Sequence, residues 1–148
     1  MTTSSVLRRA SLCLAFAVAF SAARAFAQSS PRVPKTGSDE RKAIMAALRA
    51  PVESELKRKV IFKVDHLKVK GGWAFMRGVP READGKPFDY KGTVYDEAIK
   101  EGMFDDWICA LLKMSGGKWE VVAYSIGATD VAYEGWDQEH KAPSDIFR

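Results

Sequence analysis

Asp65 and His66 place a carboxylate next to an imidazole, the two groups most often used for general acid–base work near neutral pH. Whether they can cooperate depends on the backbone, because adjacent side chains on a regular strand point to opposite faces. Val60, Phe62 and Val64 alternate with Ile61, Lys63 and Asp65, and Leu67 and Val69 continue the apolar series with shifted parity. That slip predicts a β-bulge or bend at Asp65-His66, and a bulge is the one local device that would turn both side chains to one side. Asp130 is a third acid–base candidate, and Asp130, Asp65 or His66 would be the acid or base if the chain were a small cofactor-free enzyme working in a cavity. Asp105-Asp106 meets the same geometric objection and reads as the end of a loop.

Other chemistries find less support. Cys109 sits in Trp107-Ile108-Cys109-Ala110-Leu111-Leu112, an apolar run that predicts a buried, inert thiol, since reactive thiols need exposed, electropositive settings. Ser125, in Tyr124-Ser125-Ile126-Gly127, lacks the G-x-S-x-G elbow. Gly71-Gly72 and Gly116-Gly117 stand between strand patterns, without the following helix that a phosphate loop requires, and read as turns. His66 and His140 are far apart, and no H-x-x-x-H, C-x-x-C or calcium-loop spacing occurs. No catalytic residue, metal or cofactor is therefore assigned. The aromatics are the stronger lead. Trp73, Tyr95, Trp107, Tyr124 and Trp136, with Asp130, are the candidate ligand-binding residues, expected to line a cleft between a helix and a sheet.

These residues must be positioned by a chain with three parts. Residues 1–27 read as a secretory signal peptide: Arg8-Arg9, an apolar stretch from Leu12 to Phe20, and Ala25-Phe26-Ala27 just before Gln28. The apolar stretch is shorter than the about 20 residues a bilayer span needs. Cleavage between Ala27 and Gln28 is expected, with Ala23-Arg24-Ala25 as a second site. Loss of Arg8, Arg9 and Arg24 lowers the basic count from 23 to 20 against 19 acidic residues, so the net charge falls from +4 to +1. The basic balance belongs to the leader, which removes the compositional argument for nucleic-acid binding. No stable membrane anchor is expected after cleavage. Residues 28–37, QSSPRVPKTG, read as a disordered linker.

Residues 38–148 form one domain on this reading. Ser38 or Asp39 caps a helix carrying Ala43, Ile44, Ala47 and Leu48 on one face, which Pro51 kinks or divides. Strands follow at about 60–69 and 73–80, then a turn-rich excursion over 81–92 and a short helical turn near 95–99. A strand over about 105–114, apolar on both faces, is expected to be central. Ser115-Gly116-Gly117-Lys118 turns it into a last strand ending at Ile126, and a short helix or turn contains Trp136. Val131 and Trp136 are expected to pack on the sheet end, with a loose tail beyond Gln138. The class is α+β: an N-terminal helix on a curved four-stranded antiparallel sheet.

With VIFKVDHLKVKGGWAFMRG and ICALLKMSGGKWEVVAYSIGATDV in place, the chain resembles a group of small exported bacterial proteins of unknown function over roughly residues 39–147. Its layout is similar to cystatin-like and nuclear-transport-factor-2-like folds. The resemblance implies a periplasmic or secreted domain and carries no catalytic residues. The expected function is a non-catalytic binding or accessory domain for a protein or small-molecule ligand in the cell envelope. The cofactor-free enzyme and a structural envelope protein are the alternatives. N-terminal sequencing of the exported form is expected to begin at Gln28 or Phe26; intact Met1 in that fraction would show that no leader is removed.

Overall fold

The structure, a computed structural model, describes residues 30–148. The signal-peptide reading and its cleavage point at Ala27 and Gln28 lie outside the described residues. The first helix, α1, spans Asp39–Leu56. Ser38 caps it with its hydroxyl accepting from the Arg41 N–H at 3.3 Å, and Asp39 and Glu40 occupy the electropositive first turn. Pro51 neither divides nor ends the helix. Ile44, Leu48, Val52 and Leu56 recur every four residues, and all are at most 1 % exposed. Burial of that stripe outweighs the cost of about 3 kcal/mol for an interior proline. Lys57 then takes a left-handed conformation and stops the helix.

Four strands follow: β1, Ile61–Lys70; β2, Trp73–Arg81; β3, Ile108–Ser115; β4, Lys118–Ile126. They form an antiparallel sheet in the order β1-β2-β3-β4, with α1 packed over β3 and β4, an α+β architecture. Of the predicted bulge or bend, it is a bulge that is present: the β1–β2 register shifts between Val64 and His66, leaving Asp65 without a partner. Gly78 faces this irregularity, and a Cβ there would lie 2.3 Å from the Lys63 carbonyl oxygen, so the bulged pairing requires glycine. A second register shift falls between Leu111 and Leu112, opposite Val122.

β3 begins at Ile108, and its residues alternate between two cores. Ile108, Ala110 and Leu112 face α1 with Ile44, Leu48, Val52 and Leu56. Cys109 and Leu111 face the other way, with Trp73, Phe75 and Ile146. The cover on this second face comes from the C-terminus. α3, Trp136–His140, leads to a 3₁₀ turn, Ser144–Phe147, whose Ile146 has no exposed surface. The expectation of a loose tail beyond Gln138 is therefore corrected. The polar composition of 138–148 hides two anchors, Ile146 and Phe147, and the Phe147 ring lies 4.4 Å from that of Phe75. β1 grips this strap with three alternate side chains. His66 Nε2 meets the Ile146 carbonyl oxygen at 2.7 Å, Lys68 donates to the Arg148 carbonyl, and Lys70 pairs with Asp145 at 2.6 Å.

The described part of the 28–37 linker is also placed. Arg32 and Val69 exchange backbone hydrogen bonds at 3.0 and 2.8 Å, and Pro34 is buried. Arg32 also makes a two-pronged contact with Glu40 at 2.5 and 2.7 Å. The segment reads as disordered from composition, yet it covers the free edge of β1. Val131, expected to pack, is 54 % exposed, while Trp136 packs against the second core.

The strap yields a stability prediction. Ile146→Ala is expected to cost about 2–5 kcal/mol, the range for truncating a fully buried aliphatic side chain. Deleting 143–148 is expected to lower the melting temperature and open Cys109 to a thiol reagent. An unchanged melt with no labelling would show that the segment is not structural.

Candidate functional site

The six candidate ligand-binding residues do not share one cleft. Trp73, Trp107 and Trp136 belong to the core under the strap, whereas Tyr95 and Tyr124 lie on the α1 side. Asp130 is exposed in the turn after β4. Over the centre of β3 the i, i+4 stripe of α1 fills the helix–sheet space with packed core; a hollow of about 590 Å³ lies where the first half of α1 meets the β3–β4 hairpin, lined by Glu40, Ala43, Ala47, Met114 and Trp119, and none of the six candidates is in it. The sequence pattern located the aromatics on strands but could not assign each strand residue to a face across two bulges.

The acid–base candidates also stay apart. Asp65 is exposed at the bulge, and the His66 ring nitrogen is engaged by the strap. Among the described residues no hydrogen bond joins any two of Asp65, His66 and Asp130. Burial, and then the nearby cations Arg77 and Lys68, push the His66 imidazole below its usual range, against the pull of its Ile146 bond. The register does bring together a different set: His66, Arg77, Cys109 and Ser125 follow one another across the four strands. Arg77 donates to the Tyr133 hydroxyl at 3.2 Å and lies over its ring, 5.7 Å from the centroid. Cys109 has no exposed surface, and burial pushes its thiol up to about 12, as the apolar run predicts.

The more distinctive arrangement is a corner on the α1 side. Glu55, near the end of α1, accepts hydrogen bonds from both the Tyr95 and Tyr124 hydroxyls, one on each carboxylate oxygen. Tyr90 donates to Asp106 at 2.8 Å. Phe88, Tyr90, Phe104 and Tyr95 pack ring on ring, with centroids 4.6–6.2 Å apart. This aromatic base fixes an excursion, residues 89–106, that contains α2, Asp96–Lys100. Local backbone bonds hold its outer part: Thr93 to Tyr90, Ile99 to Tyr95 and Met103 to Ala98. Phe104 seats against Gly127, where a Cβ would lie 2.1 Å from the ring, and Gly127 itself has φ of +76°. The Asp105 N–H donates to the Gly127 carbonyl at 3.1 Å. Both requirements explain the glycine in Ile126-Gly127-Ala128-Thr129-Asp130.

The outer surface of this excursion is apolar. Val94 is 71 %, Met103 61 % and Ile99 40 % exposed, and α2 contains no buried residue. With six acidic and two basic residues, the excursion carries a net charge of −4. Glu55 and these three apolar residues are the ones sequence reasoning missed. An acidic stretch interrupted by unpaired apolar residues was the available signal for the surface. Glu55 had none, since its partners lie 40 and 69 residues away.

Comparison with family models, with curated proteins and with solved structures finds no match. The site must be read from its own chemistry.

The corner has a spectroscopic consequence. Burial, reinforced by the hydrogen bonds to Asp106 and Glu55, raises the Tyr90 and Tyr95 phenols, and the same causes bring Tyr124 up to about 12. An unfolded tyrosine ionises near 10. The folded state thus binds these protons more tightly; the resulting stability is complete below pH of about 10 and is lost as pH rises through the folded values. Phenolate absorbance is expected to appear together with unfolding in alkali. In Glu55→Gln the alkaline unfolding midpoint is expected to move to a different pH, and an unmoved midpoint would remove Glu55 from the account.

Proposed function

We propose that this chain is an exported, non-catalytic domain that binds a protein partner through the α2 excursion. The observation that carries the reading is the outer face of that excursion, where Val94, Ile99 and Met103 stand in solvent on a scaffold fixed from below by Tyr90, Tyr95 and Phe104. A short helix with no buried residue contributes little to folding, so presenting apolar side chains is the physical return on holding it in place. Rigidity lowers the ordering cost of association. The packed centre between α1 and β3, which among the described residues leaves no enclosed pocket for the candidate aromatics, supports a surface-binding role over a cavity role. Export rests on the leader pattern in residues 1–27 and on the resemblance to small exported proteins.

The test is site-specific photocrosslinking in intact cells, with a benzoylphenylalanine placed at Val94, at Met103, or at the exposed Glu134 as a control on a different loop. Discrete adducts are expected from positions 94 and 103 and none from 134, and excess purified domain is expected to suppress them in envelope preparations. Absence of a discrete adduct from the excursion, or the same adducts from all three positions, would overturn the reading.

A further inference from the structure

The acidic, apolar excursion has a counterpart on the same molecule. A hollow of about 390 Å³ beside the first half of α1 is lined by Gly37, Arg41, Lys42, Met45, Ala46 and Arg49. Its floor is apolar and its rim cationic. Lys42 pairs with Asp39 at 3.8 Å and Arg41 donates to the Pro34 carbonyl at 3.5 Å, while among the described residues neither Arg41 nor Arg49 has a carboxylate within ion-pair distance. Both arginines are half-buried, and charge-assisted hydrogen bonds from a guanidinium to an incoming carboxylate are among the strong ones. The hollow sets two guanidinium groups beside Met45 and Ala46, and the excursion sets carboxylates beside apolar side chains: Asp96, Glu97 and Glu101 around Val94, Ile99 and Met103.

We propose that the partner of the excursion is the α1 hollow of a second copy of this chain, an inference that rests on the binding role proposed for the excursion. The two surfaces cannot be the same patch. Glu55, which roots the excursion, lies six residues beyond Arg49, which turns it about a third of a revolution away at 3.6 residues per turn. One copy thus offers its excursion to one neighbour and its hollow to another. Such a contact is heterologous and head-to-tail, and its repetition builds a ring or a filament according to the rotation between copies. Charge complementarity makes it sensitive to salt, because exposed charges are screened beyond about 10 Å at 0.1 M.

Sedimentation of the purified chain from residue 28 tests this. The weight-average mass is expected to rise with concentration past that of a dimer, and the association constant to fall about tenfold between low salt and about 0.5 M salt. An excursion variant, Glu97→Gln with Met103→Ser, and a hollow variant, Arg41→Gln with Arg49→Gln, should each be monomeric. Mixed together they should form a one-to-one pair and go no further, since one intact excursion and one intact hollow remain. The excursion variant touches no buried residue, so it keeps the test meaningful if the hollow variant misfolds, and thermal melts of both report folding. A wild-type chain that stays monomeric, or association that survives the excursion variant, overturns the proposal. Photocrosslinks from Val94 separate the two levels. A self-adduct supports both the binding role and this partner. An adduct solely with a different protein removes the second copy as partner and leaves the binding role standing, and no adduct removes both.

Discussion

Strand β3 carries Ile108, Ala110 and Leu112 on one face and Cys109 and Leu111 on the other, all without exposed surface, and the rest of the fold is arranged to cover both. A four-stranded sheet with one helix can bury a single face. The second requires more chain, which the residues after Ile126 supply by running back over Phe75 and Trp73. Each fully buried aliphatic side chain contributes about 1.5–3 kcal/mol, so leaving the second face open would forfeit several such increments in a domain of this size. The strap is as much a part of the core as α1, although it contains little regular structure.

This division explains what the sequence made legible. The N-cap at Ser38, the bulge at Asp65, both Gly-Gly hairpins and the central position of β3 are set by neighbours within a few residues, and each leaves a local trace in residue type or alternation. The strap and the corner are set by contacts between distant segments. His66 meets Ile146 across 80 residues, and Glu55 meets Tyr124 across 69. Nothing in the polar run from Gln138 distinguishes Ile146 as an anchor until the sheet face it covers is known. The same reasoning accounts for Gly127. Its sharp turn was legible from residue type, but the Phe104 ring that forbids a Cβ was not. Of the candidate site, the sequence held the aromatic character and the identity of Tyr95 and Tyr124. It did not hold their separation from Trp73, Trp107 and Trp136, because a one-residue slip at a bulge reverses which face a strand residue occupies.

The row His66, Arg77, Cys109 and Ser125 shows why residue types alone do not make an active site. Its members occur in many nucleophilic and acid–base centres, and here they stand side by side across the sheet. Their surroundings work against that chemistry. Burial favours the neutral imidazole and the protonated thiol, so the row lacks both a thiolate and an imidazolium to stabilise one. Arg77 spends its cation on the Tyr133 ring and hydroxyl. The strap that completes the second core keeps Cys109 from solvent and leaves His66, Arg77 and Ser125 half-buried. Covering the centre of β3 and exposing its thiol are mutually exclusive demands, and the packing resolves them in favour of the core.

Charge follows an opposite logic, since among the described residues no charged side chain is buried. Surface charges contribute little to stability in pairs, so their distribution is free to serve association. From residue 28 onward the net charge is +1, yet the excursion alone carries −4 and the remainder therefore +5. Within α2, Lys100 lies 3.5 Å from Asp96 and 3.7 Å from Glu97 and offsets one of their two charges. The acid left over around Val94 and Met103 is the other charge of that pair and Glu101. An apolar surface ringed by one sign of charge disfavours indiscriminate sticking to like surfaces and selects partners of opposite sign. The near-neutral total hides this polarity, which appears once the fold gathers residues 89–106 on their aromatic base and sets Arg41, Lys42 and Arg49 along one side of α1.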